Sequence, residues 1–165
     1  MIMKTYVLML SKAFPSTHPR KGEPTRFFDK FLAGQALSRE GWLVDPKLHT
    51  IRANYTLWAK RFEKIAAGEA CLSVREWTGA PYRSKQKELA RLTHEDGIGI
   101  QKLQLEVADK LFGKYHARID DGCGSASIIE LATNDGLSLE DWKEWFKNYE
   151  LSKPLAIIHF TKFRY

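Results

Sequence analysis

Hydrophobic residues in this chain repeat every second position in some stretches and every third or fourth in others, and the two periods alternate in no regular order. A doubly wound parallel fold needs strand–helix–strand units in series, so this order argues instead for an α+β fold with a mostly antiparallel sheet or barrel. The chain has 165 residues, enough for one core-bearing domain, and no internal repeat divides it.

Residues 4–11 form a short apolar run that reads as a buried first strand, stopped before Pro15 and Pro19. Ala13 to Glu23 is polar and rich in breakers, hence a loop. Thr25 can cap a short helix bearing Phe27, Phe28, Phe31 and Leu32, with Gly34 at its end as a residue of positive φ. Residues 35–46 lack periodicity and read as an inserted loop. Lys47 to Ala53 alternates like a strand, after which Trp58, Phe62 and Ile65 recur at helical spacing up to Gly68. Ala70–Trp77 and Tyr82–Leu92 flank the turn Thr78-Gly79-Ala80-Pro81 and together suggest a long hairpin. Over Ile98–Val107 strand and helix compete. Residues 120–125 read as a turn and Ser127–Ala132 as a short helix. Ser138-x-x-Asp141 has the form of a capping box ahead of Trp142, Trp145, Phe146 and Tyr149 on one helical face. Leu155 to Phe163 is a closing strand whose start is wholly apolar.

The charge is unevenly spread. Residues 130–150 carry six acids against two lysines, a local balance of −4, so the remainder of the chain is +10 within a total of +6. One cationic side suits a phosphate-bearing partner, and solvated lysines beside an acidic helix account for the charge equally well. The longest apolar run, Tyr6 to Leu10, is far too short to span a bilayer, and the N-terminal charges do not suit a signal peptide, so no membrane partner and a cytoplasmic location are expected. Cys71 and Cys123 show no metal or disulfide spacing and read as packing residues, and the five histidines are scattered, so neither a metal nor a cofactor is expected.

Chemistry concentrates in Lys47-Leu48-His49-Thr50-Ile51-Arg52. On a strand Thr50 and Arg52 share one face, opposite His49 and Ile51, and a turn before Leu48 would free Lys47 to join them. An ammonium, a hydroxyl and a guanidinium in one pocket could bind a phosphate, a carboxylate or the polar edge of a base; a strand with ordinary exposed polar positions explains the pattern too. A second patch, Trp77, Tyr82, Arg83 and Lys85, sets aromatic faces among cations, as single-stranded nucleic acid or a splayed base requires, although bulky aromatics beside a turn are often hairpin packing.

Phe27 to Gly34 followed by Lys47-x-x-Thr50-x-Arg52 resembles the helix, glycine and G-x-K-x-x-E-x-R motif of ASCH domains in the PUA-like superfamily, with the threonine of its acetylcytidine amidohydrolase subgroup in place of the glutamate. Similarity extends through Trp58–Trp77, where Gly68 opens the following strand, and through the tail from Asn134 to Phe163. The resemblance implies a PUA-like mixed or antiparallel β-barrel with flanking helices, spanning residues 1–165 as one domain and binding RNA or a modified nucleoside. It also implies an alternative, an amidohydrolase in which Thr50 is the nucleophile, Lys47 its activator and Asp135 the proton carrier. Two features depart from the pattern: Asp135 is one methylene shorter than the usual glutamate, and residues 35–46 separate Gly34 from Lys47. A protein-interaction domain whose basic face serves only solubility is a third expectation.

Overall fold

The computed structural model describes residues 2–36, 44–109 and 114–165. Its elements run β1 (Lys4–Met9), α1 (Phe27–Gln35), β2 (His49–Arg52), α2 (Tyr55–Ala66), β3 (Ala70–Trp77), β4 (Gln86–Leu92), β5 (Gly99–Asp109), β6 (Lys114–Ile119), α3 (Ile128–Asn134), α4 (Leu139–Phe146) and β7 (Leu155–His159). They build a mixed α+β fold of two sheets, β1-β3-β4 and β2-β7-β5-β6. Only β1 and β3 run parallel; the other strand pairs are antiparallel. None of the described helices is long and apolar enough to cross a membrane.

The closing strand lies inside its sheet. β7 pairs with β2 on one side, Thr50 opposite Ile158, and with β5 on the other, Ile100 opposite the same residue. All five of its residues are buried, which is why its sequence is apolar without alternation. β5 takes the strand alternative of its ambiguous stretch. It is paired on both sides, and the polar residue that spoils its alternation, Gln101, is buried in a hydrogen bond with His159.

Several local expectations are corrected. β1 is an edge strand rather than a buried one: with β3 as its single neighbour, only Leu8 of its six residues is buried. Gly34 does not end its helix but lies inside α1. Thr25 Oγ1 accepts from the Phe27 amide at 3.3 Å and donates to the Ser11 carbonyl at 2.6 Å, while Arg26 takes the left-handed turn into the helix at φ 59°. The capping box at α4 is half made. Ser138 Oγ accepts from the Asp141 amide, but the Asp141 carboxylate is engaged by Arg20 at 2.6 Å instead. β4 begins at Gln86, leaving Tyr82 to Lys85 in the turn. Cys71 is buried, whereas Cys123 is exposed and packs no core. β6, signalled by Tyr115, Ala117 and Ile119 alternating with charged residues, has no counterpart in the sequence reading. Of the expected insertion, residues 37–43 lie outside the described residues.

Candidate functional site

The short strand β2 is anchored just ahead of its first residue. The Lys47 amide donates to the Lys30 carbonyl of α1 and the Leu48 amide to the Asn134 carbonyl at the end of α3, both at 2.8 Å. Lys47 therefore precedes the strand and escapes its alternation. Its side chain turns inward to Asp135, the residue that closes α3, and donates from Nζ to the Asp135 carbonyl at 2.5 Å and to Oδ1 at 2.7 Å. A cation at the carbonyl end of a helix is electrostatically favoured. The Phe27 ring lies 4.1 Å from the same nitrogen. Gly136 follows at φ 82°, and there a Cβ would stand 3.3 Å from the Lys47 Cβ, so the glycine permits both the turn and the approach.

Lys47, Thr50, Arg52 and Asp135 border one hollow, with Ser11 at its side and Phe27, Trp145 and Phe146 among its aromatic walls. The hollow measures about 20 Å³, the room of a single water. Lys47 and Asp135 are 1% and 3% exposed, so this is a buried ion pair. Burial pushes Lys47 below the ordinary lysine range and Asp135 above the usual carboxylate range, and their mutual attraction opposes both shifts. Arg52 hydrogen-bonds the Met9 carbonyl of β1 through Nη2 and so ties the two sheets together, while its buried Nε has no protein partner among the described residues. Burial lowers its pKa as well. The shorter side chain of Asp135 reaches Lys47 directly.

Behind β2 the other face is equally polar. His49 Nε2 meets the Tyr165 hydroxyl at 2.7 Å, which also accepts from Asn134 Nδ2 at 2.9 Å. Across the strands His159 Nε2 meets Gln101 Oε1. Burial holds His49 well below the ordinary histidine value and His159 down to about 3.

The second patch stands apart from the hollow. Trp77 ends β3, and Tyr82, Arg83 and Lys85 occupy the β3–β4 turn; none of the four borders the hollow. Tyr82 is 90% exposed at φ 63°, its ring 5.2 Å from that of Trp77. The arm nevertheless leaves the sheet beside the site. The Leu10 amide donates to the Arg75 carbonyl, and the next residue, Ser11, borders the hollow. Sequence reasoning missed Ser11, Phe27 and Trp145 as site residues; the two aromatics carry only the signal of a helical core face. Among the described residues no group of three or more metal-binding side chains gathers. Comparison with protein-family models, with curated proteins and with solved structures found no match.

Proposed function

We propose that this chain is an ASCH-type domain whose two sheets form a PUA-like open barrel, and that it binds the polar edge of a base, in RNA or in a modified nucleoside. One observation carries the reading. Four polar side chains from positions up to 88 residues apart, Lys47, Thr50, Arg52 and Asp135, border one hollow with aromatic walls. A planar ring needs such flat walls, and donors and an acceptor at the end give orientation. The hollow as it stands has room for one water only, so on this reading a base enters as Trp145 or Phe27 swings aside.

A second reading, amidohydrolysis of an N-acylated cytidine, is favoured by the 2.7 Å contact of Lys47 with Asp135. Burial disfavours both charges, so a shift of one proton from Nζ to the carboxylate yields a neutral amine beside a neutral acid. The amine can take the Thr50 proton as the oxygen attacks the acyl carbon. The C–N bond then breaks, the departing amine takes a proton from Asp135, and water hydrolyses the Thr50 ester to regenerate the hydroxyl.

Incubation with acetylated cytidine, followed by chromatography and calorimetry, separates the readings. Saturable binding without release of acetate supports the binding domain. Release of acetate that stops in Thr50→Ala supports the hydrolase. No binding of acetylated cytidine, cytidine or a single-stranded oligoribonucleotide sinks both.

A further inference from the structure

β6 is the outer strand of its sheet, paired to β5 on one side. On its other side a single antiparallel bridge joins Ile119 to Gly124, whose amide donates to the Ile119 carbonyl at 3.2 Å. That bond shows which way the strand faces. Backbone groups alternate along a strand, so the N–H and C=O of Ala117 and Tyr115 point outward with those of Ile119, while His116 and Arg118 point theirs toward β5. The loop begins a new strand beside β6 and turns away after one bridge. Among the described residues, the outward backbone groups of Tyr115 and Ala117 find no partner.

Alongside this free edge lies an open recess of about 570 Å³, bordered by Tyr115, Ala117, Gly124, Ala126 and Ile128 among others. Its two sides differ in chemistry. Tyr115 and Ala117 are half-buried, the Tyr115 ring edge-on to Trp142 at 6.1 Å, and face the apolar side with Ala126 and Ile128. Lys114, His116 and Arg118 are exposed on the opposite face. There Arg118 Nε donates to Gln104, and the strand pair carries two acids, Glu106 across from His116 and Asp109 across from Lys114, both on β5. Those acids sit one strand in from the edge, so the outer row that a further strand would meet, Lys114, His116 and Arg118, has none. Unpaired strand edges are templates for another strand, and natural proteins commonly blunt them with lysine; here the charges stand to one side of open backbone groups.

We propose that the outer edge of β6 binds an extended acidic peptide by strand addition. The peptide continues the pairing that Gly124 starts, sets alternate apolar side chains toward Tyr115, Ala117 and Ile128, and sets the intervening acids toward Lys114, His116 and Arg118. Main-chain hydrogen bonds give affinity and the alternation gives selectivity. This inference is independent of the base-binding hollow.

The probe is a fluorescein-labelled decapeptide of alternating glutamate and valine, titrated with the full chain and followed by anisotropy. Two further peptides carry N-methyl groups on every valine amide or on every glutamate amide. An added strand offers one edge only, so one methylated peptide loses binding by about tenfold or more while the other retains it. Lys114→Glu with Arg118→Glu weakens the parent peptide by about tenfold and leaves the fold unchanged, both side chains being exposed. Equal binding of both methylated peptides, or no binding of the parent, overturns the proposal. So does a uridine oligonucleotide that binds more tightly and is released by the same two substitutions, or a dimer in sedimentation whose edge the peptide fails to compete.

Discussion

A Cβ placed on Gly34 would stand 2.6 Å from the carbonyl oxygen of Lys47. The glycine and the lysine are thirteen positions apart in sequence, and they touch through backbone all the same. Gly34 is therefore a packing residue of the site. Its missing side chain lets α1 lie against the residue that supplies the buried ammonium. Gly34→Ala gains helix propensity of up to about 1 kcal/mol and meets a backbone carbonyl, which yields less readily than the end of a flexible side chain, at an overpacking cost of about 1–3 kcal/mol. A net loss of stability in urea unfolding is expected; a variant more stable than the parent would show that α1 shifts freely.

Lys47→Met leaves the Asp135 carboxylate buried without its partner, a loss of about 3–5 kcal/mol. The same change removes the attraction that opposes the upward shift of Asp135, so its folded pKa rises further. A carboxyl whose folded pKa exceeds its unfolded one stabilises the fold at low pH and loses that contribution as pH rises. The deficit of Lys47→Met is thus largest near neutrality and narrows on acidification. Adding Asp135→Leu recovers most of it at pH 7. Denaturation midpoints of the three proteins between pH 4 and 8 check both statements.

His49 and His159 predict an acid instability of defined origin. Both titrate lower in the folded chain than in the unfolded one, His159 at about 3 against 6.5. As pH falls below about 6.5 the unfolded chain binds protons that the folded chain refuses, so stability drops. Each histidine contributes a slope of about 1.4 kcal/mol per pH unit, for His159 down to about pH 3. His159→Gln removes one such share, visible as a shallower fall of unfolding free energy between pH 6 and 4. An unchanged slope would mean that His159 is protonated in the fold.

Arg83 and Lys85 are exposed on the hairpin turn, and replacing both with alanine changes stability by less than about 0.5 kcal/mol. On the base-binding reading it also lowers the salt dependence of single-stranded RNA binding, by about 1.4 in the log–log slope if both contact phosphate. A slope that stays the same, or binding that ignores salt altogether, removes the hairpin from the interface and favours a protein partner.

Trp58, Phe62 and Ile65 at helical spacing, with Gly68 after them, show how much of the fold was legible. Period and stop agree, and α2 forms between them; the structure adds the cap, the Asn54 side chain accepting from the Leu57 amide. The apolar start of β7 was legible for a similar reason, since a strand buried on both faces must be apolar throughout, but the strand ends at His159 rather than Phe163. Gly34 was misread because a glycine near the end of a helical run signals a left-handed cap, whereas a glycine needed for a neighbouring backbone has no local signature. β1 was misread because an apolar run does not say how many neighbours a strand will have.

The α+β class, the positions of most elements, and the grouping of Lys47, Thr50 and Arg52 around one short strand follow from the residue order alone, because periodicity, caps and alternation act over a few residues. It took the packed chain to show that Lys47 pairs with Asp135, that Arg52 ties β2 to Met9, and that the hairpin aromatics stand outside the hollow. Such pairings join residues brought together by the packing of α1, α3 and two sheets. Burial sets both the cost of these charges and the need to pair them, and no local pattern of residues encodes burial.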